Sequence, residues 1–241
     1  MDLKKFFKLF KLKIPARLNT ETRQKPKRWR EKEKSGLFNI AVAKDEAFQF
    51  VYQDTLDYLS HQGFNITFFS PLHDSHLPKN MDVYYFPGGY PELHAPSLSN
   101  NKSLLKDIKL AGSAGKIIIG ECGGLMYLGK AIIDNAGKNH SLAGIFNYST
   151  SIQAKKLTLG YRKLRMSTKV NPKCKVTVTG HEFHYSSLIK NKETPNWTHA
   201  TSNKKIQTTD GFRKSNCFAF YSHIYWGSNP AWMKFIISLV K

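Results

Sequence analysis

The five residues Gly120-Glu121-Cys122-Gly123-Gly124 constrain the fold of this chain more than any other segment. They lie between the apolar runs Ile117-Ile118-Ile119 and Leu125-Met126-Tyr127-Leu128. A β-branched run closed by glycine reads as a buried strand. The glycines after the cysteine remove side chains that would collide in a tight turn. The pattern therefore predicts a strand ending at Gly120, a sharp turn at Cys122 and a helix starting at Gly123. A cysteine on such an elbow is expected to expose its sulfur beside the N–H groups of a helix N-terminus, an environment that favours the reactive thiolate. The same five residues also suit a buried structural cysteine with glycines packing a helix closely on a sheet, so the surroundings have to decide.

Those surroundings alternate between strand and helix patterns. A strand is expected over 38–43, a helix over 48–62 closed by Gly63, strands over 65–69 and 83–86, and a helix over 97–112 capped by Ser97 or Ser99. This βαβαβ order predicts an α/β fold with a mostly parallel central sheet and helices on both faces. The latter half is strand-rich, over 176–180, 181–187 and 216–221. Asn229-Pro230-Ala231-Trp232 then opens a last helix reaching Leu239. Residues 1–36 read as a basic tail or linker, holding thirteen Lys/Arg against four Asp/Glu. Within it Leu3, Phe6, Phe7 and Phe10 have roughly helical spacing, Pro15 stops that pattern, and 23–34 is a charged run. The folded domain is expected over 37–241.

The formal net charge of +20 raises the question of nucleic acid. The basic residues form no recognition-helix pattern, zinc-finger spacing or RNP-type aromatic motif, so a solvated basic surface is the reading, with neither nucleic acid nor membrane as partner. No apolar run approaches bilayer length, and lysines interrupt the N-terminal apolar stretch too often for a signal-peptide core. Cys122, Cys174 and Cys217 are too few and too scattered for a disulfide framework or a closed zinc site. A reduced, cytoplasmic setting follows. Gly112-Ser113-Ala114-Gly115-Lys116 has the wrong spacing for a P-loop and leads into a strand, so nothing here is expected to cradle ATP.

A thiolate nucleophile needs an acid–base partner and a site for the oxyanion. Among nine histidines, His223 stands at the end of a predicted strand, where active-site residues of parallel sheets collect, although a lone histidine also serves as a core residue. The loop Pro87-Gly88-Gly89-Tyr90-Pro91-Glu92 follows an apolar strand and has glycines free to turn N–H groups toward a substrate; its plainer use is as a strand-to-helix turn. His181 and His184 in Gly180-His181-Glu182-Phe183-His184-Tyr185 are three apart in an extended segment. They would face opposite sides, unlike the four-apart helical histidines of a zinc motif, so no metal site is expected. Asp45-Glu46 either holds substrate or caps the following helix.

Taken in order, several segments resemble the glutaminase domain of cobyrinic acid a,c-diamide synthases. These are Ile40-Ala41-Val42-Ala43-Lys44-Asp45-Glu46-Ala47-Phe48, Phe69-Ser70-Pro71-Leu72-His73-Asp74, Gly88-Gly89-Tyr90-Pro91-Glu92-Leu93, Glu121 through Gly129, Leu159-Gly160-Tyr161-Arg162, Gly180 through Ser186, Asp210-Gly211-Phe212-Arg213, and His223 before Trp226-Gly227-Ser228-Asn229-Pro230. The resemblance covers about 38–241. It implies a class I, triad-type glutamine amidotransferase fold of the flavodoxin-like three-layer kind. It also implies Cys122 as nucleophile, His223 as general acid–base, and an oxyanion hole at Gly89 and Gly123. Gly88, Tyr90, Glu92, His181 and His184 are then candidate substrate-binding residues. Many class I members carry a glutamate two residues after the histidine, where this chain has Tyr225, as is common in the corrinoid branch. Full-length members place an ATP- and Mg²⁺-dependent synthetase domain ahead of this one, and this chain is expected to lack it. The implied role is a glutaminase supplying ammonia to a separate synthetase that amidates the a and c acetates of a corrinoid. The same chemistry on nickel-sirohydrochlorin and a non-catalytic remnant of a truncated synthase are the alternatives. In either case, residues left by a missing synthetase would expose an apolar patch.

Overall fold

The structure is a computed structural model that describes residues 36–154, 157–166, 176–201 and 207–240. The expectations for 1–35 and for Cys174 lie outside the described residues. In chain order the elements are β1 (Phe38–Ala43), α1 (Gln53–His61), β2 (Phe64–Phe69), β3 (Val83–Phe86), α2 (Ala95–Asn100), α3 (Lys102–Ser113), β4 (Ile117–Glu121) and α4 (Gly123–Leu128). They continue with β5 (Ala131–Ile133), β6 (Asn139–Ser141), β7 (Ser149–Ser151), β8 (Thr158–Met166), β9 (Thr177–His184), β10 (Ser187–Ile189) and β11 (Trp197–Thr201). The last are β12 (Gln207–Asp210), β13 (Phe212–Lys214), β14 (Cys217–Phe220), β15 (His223–Ile224) and α5 (Pro230–Leu239).

Six strands form the central sheet in the order β13-β14-β4-β3-β1-β2, parallel except for the antiparallel edge strand β13. Strands β3, β4 and β14 are buried along their whole length, which explains why they read as unbroken apolar runs: both of their faces are covered. The edge strand β2 buries only its end residues Phe64 and Phe69 and leaves Phe68 exposed. The strand-rich half builds two further sheets, β10-β7-β5-β6 and the antiparallel β12-β11-β8-β9-β15. The core around α4 joins Phe48, Phe86, Tyr127, Leu128, Phe146 and Tyr148.

Several expected boundaries move. The helix expected from 48 starts at Gln53, because Phe48 and Phe50 are used by the preceding loop. Phe48 packs edge-on against Tyr127, and the N–H of Phe50 donates to the carbonyl of Gly88 at 3.1 Å. Asp45 therefore caps no helix. One carboxylate oxygen accepts from the N–H groups of Ala47 and Phe48, and the other accepts from Ser70 Oγ and Leu72 N–H. This ties the β1 turn to the β2 turn.

The helix expected over 97–112 is two helices that break at Asn101, and neither Ser97 nor Ser99 caps them. The Asn101 side chain accepts from Leu104 N–H and donates to the carbonyls of Pro71 and Asp74, so it is an N-cap held by contacts distant in sequence. Strand β4 runs one residue past Gly120. The two strands expected over 176–187 resolve into the long β9 and the short β10. Asn229 caps α5 by accepting from Ala231 N–H at 2.9 Å.

Candidate active site

Cys122 sits at the junction of β4 and α4 with φ 48 and ψ −102, a positive-φ conformation that is strained for a residue with a Cβ. Backbone bonds hold the elbow on three sides. Its N–H donates to the carbonyl of Phe220 at 2.9 Å, its carbonyl accepts from Met126 N–H at 3.1 Å, and Gly124 N–H donates to the carbonyl of Pro87 at 3.1 Å. A Cβ at Gly124 would overlap the carbonyl oxygen of Phe86, so only glycine lets α4 approach β3 this closely.

The Pro87–Glu92 loop lies against this elbow. A Cβ built on Gly123 would stand 3.0 Å from the amide nitrogen of Gly89, which brings the two proposed oxyanion-hole backbones side by side next to Cys122. Tyr90 is partly exposed and packs edge-on against Phe50 at 5.2 Å. Glu92 is the second residue of the short 3₁₀ turn Pro91–His94. Its Oε2 is buried without a hydrogen-bond partner, and burial raises its carboxyl above the usual range.

His223 does not extend β14. It begins β15, which pairs with β9 so that His223 lies directly opposite His181. The imidazole is 2% exposed and rests on Gly88, where a Cβ would overlap Cε1 and stand 2.9 Å from Nδ1. Burial first, then the neighbouring His181 and His184, bring its pKa down to about 3, so the ring is neutral around pH 7. His184 belongs to a different contact. Its ring stacks on Tyr221 at 3.9 Å and its Nδ1–H donates to the carbonyl of Ser186 at 2.8 Å. His181, Tyr52, His223, Asp54, Thr55, Ile224 and Tyr225 line a cavity of about 220 Å³.

The expected reactivity of the thiol needs correction. Cys122 is 3% exposed rather than open, and Sγ faces the carbonyl of Phe183 at 3.8 Å. Burial, with the nearby Glu92 carboxylate next in weight, pushes its pKa up to about 12, against the lowering effect of the Gly123 N–H. A six-residue helix offers too small a dipole to overcome that desolvation. No hydrogen bond among the described residues joins Cys122 to His223. The arrangement is a closed site in which Cys122, His223 and the Gly88-Gly89 loop come together.

Sequence reasoning missed the buried carboxylate beneath the site. Glu121 is 1% exposed and accepts from Tyr85 O–H at 2.9 Å, Trp226 Nε1–H at 3.0 Å and the N–H of Ile224. It thus ties the residue before Cys122 to the backbone just after His223. Burial pushes its pKa up to about 8, opposed by these three donors. A second buried acid, Glu182, receives a two-pronged bond from Arg162, with Nε and NH2 each at 2.8 Å, and lies 3.4 Å from Ser222 Oγ. Their presence in the quoted Glu121–Gly129, Leu159–Arg162 and Gly180–Ser186 segments was the only available signal. Among the described residues, no helix is long and apolar enough to cross a membrane.

The fold matches solved amidotransferases. The chain aligns with PurLQS from Thermotoga maritima at a TM-score of 0.59 and 15% identity, covering 84% of this chain and 99% of that one. A glutamine amidotransferase from the same organism aligns at 0.52 and 11% identity, covering 83% of each chain. At such identities the likeness concerns the fold, which is that of class I glutamine amidotransferases. Sequence relatives are nearer. The cobyrinate a,c-diamide synthase of Picrophilus torridus is 40% identical over 206 residues, which are 82% of this chain and 44% of the relative. That of Salmonella typhimurium is 37% identical over 199 residues, covering 79% and 42%. The chain therefore spans less than half the length of these relatives. Residues 39–231 match the CobB/CobQ-like glutamine amidotransferase domain, and the chain belongs to that family.

Proposed function

We propose that this chain is the glutaminase component of a cobyrinate a,c-diamide synthase-type ligase. The carrying observation is the strained Cys122 elbow flanked by Gly89 and Gly123, with the neutral His223 ring seated on the same glycine loop. Sγ of Cys122 attacks the side-chain carboxamide carbon of glutamine while His223 takes the thiol proton. The Gly89 and Gly123 N–H groups receive the oxyanion. Collapse breaks the C–N bond, His223 returns the proton to the leaving nitrogen, and ammonia departs from a γ-glutamyl thioester. Water, deprotonated by His223, then releases glutamate and restores the thiol. The unpartnered Oε2 of Glu92 suits the α-ammonium group of glutamine, whose positive charge would offset one of the charges that raise the thiol pKa.

On this reading ammonia is then used by a synthetase, in the same polypeptide or another, that activates the a and c acetate carboxylates of a corrinoid with ATP and Mg²⁺. Gly112–Lys116 ends α3 and leads into β4, and Lys116 Nζ donates to the carbonyl of Met81, so this segment is occupied structurally. A partner is supported by the outer face of β8 and β9. There Leu159 and Tyr161, 63% and 77% exposed, lie opposite Phe183 and His181 beside the site. An apolar face of this kind is suited to burial under a synthetase. A reducing compartment such as the cytoplasm keeps the thiol available.

The test is labelling of the purified chain with a glutamine-mimicking diazoketone, alone and with a candidate synthetase. Saturable modification of Cys122, blocked by glutamine and lost in Cys122→Ala, is expected. A folded chain that stays unlabelled under both conditions overturns the proposal.

A further inference from the structure

The family pattern leaves a gap at His223, because position 225, two residues on, carries a tyrosine in place of a carboxylate. Among the described residues no carboxylate takes over: Nδ1 of His223 is buried without a hydrogen-bond partner. The ring is nevertheless enclosed on every side described. Gly88 lies beneath it, Phe50 is tilted against it at 5.9 Å, and Tyr52 stands perpendicular to it at 6.2 Å. The flat face is covered by His181, whose imidazole stacks at 5.0 Å between centroids and 12° between planes. His181 is held in turn. Its backbone is in register with His223 across the β9–β15 ladder, and its Nε2 lies 3.2 Å from Tyr52 Oη, with the tyrosine ring edge-on at 6.0 Å.

We infer that His181, pinned by Tyr52, is the positioning residue of His223, restraining the imidazole by ring stacking and strand pairing where a carboxylate would restrain it by hydrogen bonding. This inference rests on the glutaminase reading for its consequence, but the restraint itself is a property of the fold. It reassigns His181 from a substrate ligand to a support for the acid–base group. One face of the ring is taken by His223 and one nitrogen by Tyr52, so little of it is left for glutamine. Stacking also suits the task chemically. Two parallel imidazoles this close resist double protonation, so His181 adds to burial in holding the resting His223 ring neutral. A carboxylate at the same place would favour the charged ring instead.

Three variants separate stacking from the alternatives: His181→Ala removes the ring, His181→Phe keeps a flat ring without nitrogens, and Tyr52→Phe removes only the pinning hydroxyl. Two readouts are needed. One is the rate and half-saturation concentration of Cys122 labelling by the diazoketone. The other is the ¹H–¹³C NMR signal of the His223 Cε1–H, which reports ring environment without any reaction. His181→Ala is expected to slow maximal labelling by about tenfold to a hundredfold while half-saturation stays nearly unchanged. It should also shift the His223 signal. His181→Phe restores most of both, and Tyr52→Phe falls between. A weaker half-saturation with unchanged maximal rate would make His181 a substrate ligand and overturn the inference. A phenylalanine variant as impaired as alanine would do so too. If the wild type is not labelled at all, the NMR signal still decides: a shift in His181→Ala that His181→Phe reverses supports the positioning role while the glutaminase reading fails. An unmoved signal rejects it.

Discussion

Replacing Glu121 with glutamine is expected to remove a pH dependence carried by the native fold. Burial moves this carboxyl from its ordinary 4.5 to about 8. In the unfolded chain the proton leaves near 4.5, whereas the native state keeps it until about 8, so stability falls as pH rises through that window. His223 acts in the opposite direction. Its folded pKa is depressed from 6.5 to about 3, so its contribution is complete above 6.5 and is lost as pH falls toward 3. Between pH 4.5 and 6.5 the two slopes cancel, and above 6.5 that of Glu121 is left alone of the pair. One proton corresponds to about 1.4 kcal/mol per pH unit, so Glu121 costs the wild type about 2 kcal/mol from pH 6.5 to 8. For a chain of this size that is a fall of about 4–8 °C in Tm. Glutamine keeps the shape and an oxygen acceptor but does not titrate. Urea unfolding followed by tryptophan fluorescence across this pH range gives the slope for both proteins. An alkaline slope as steep in Glu121→Gln as in the wild type refutes the reasoning. So does a wild type whose Glu121-dependent stability increases toward pH 8.

Three further outcomes are expected. Gly88→Ala forces a methyl group into the space of the His223 ring, so diazoketone labelling of Cys122 should fall by about a hundredfold while the far-ultraviolet circular dichroism stays native. Arg162→Met leaves Glu182 buried without its guanidinium and should cost about 3 kcal/mol in denaturant unfolding; adding Glu182→Leu should recover part of the loss, since the desolvated charge is then gone. In the resting protein the Cys122 and Cys217 thiols, both pushed up to about 12 by burial, should contribute no thiolate absorbance near 240 nm until well above pH 9. Thiolate from Cys122 at neutral pH, identified by its loss in Cys122→Ala, would contradict the closed site.

The elbow was legible because its signal is local: a β-branched strand, glycines and a helix-forming run follow one another without interruption. The same is true of β1 and of the Asn229 cap, whose donor is only two residues away. The misplaced features depend on contacts that a sequence window does not contain. Phe48 and Phe50 have a spacing compatible with a helix, yet one is drawn into the core by Tyr127 and the other bridges to Gly88. Asn101 breaks a helix because Pro71 and Asp74 supply acceptors for it. At the candidate site, Cys122 and His223 could be singled out from their neighbours in sequence. What surrounds His223 could not, since Tyr52 and His181 are 129 residues apart in the chain. The thiol was misjudged for a related reason: the helix terminus is visible in sequence, whereas the burial that outweighs it is set by Phe183 and the glycine loop.

The backbone at Cys122 also bears on how this protein can change. A residue held at φ 48 costs about 1–3 kcal/mol relative to one that adopts the angle freely, and glycine is the residue that does so. As far as backbone strain goes, glycine would be the easier occupant of the elbow, although it would give up the burial of the Cys122 side chain. A lineage that stopped using the thiol would be free to relax that strain by drifting toward glycine at this one position. The sulfur stands where backbone strain alone would favour glycine, and on the proposed glutaminase reading that strain is borne for the sake of chemistry.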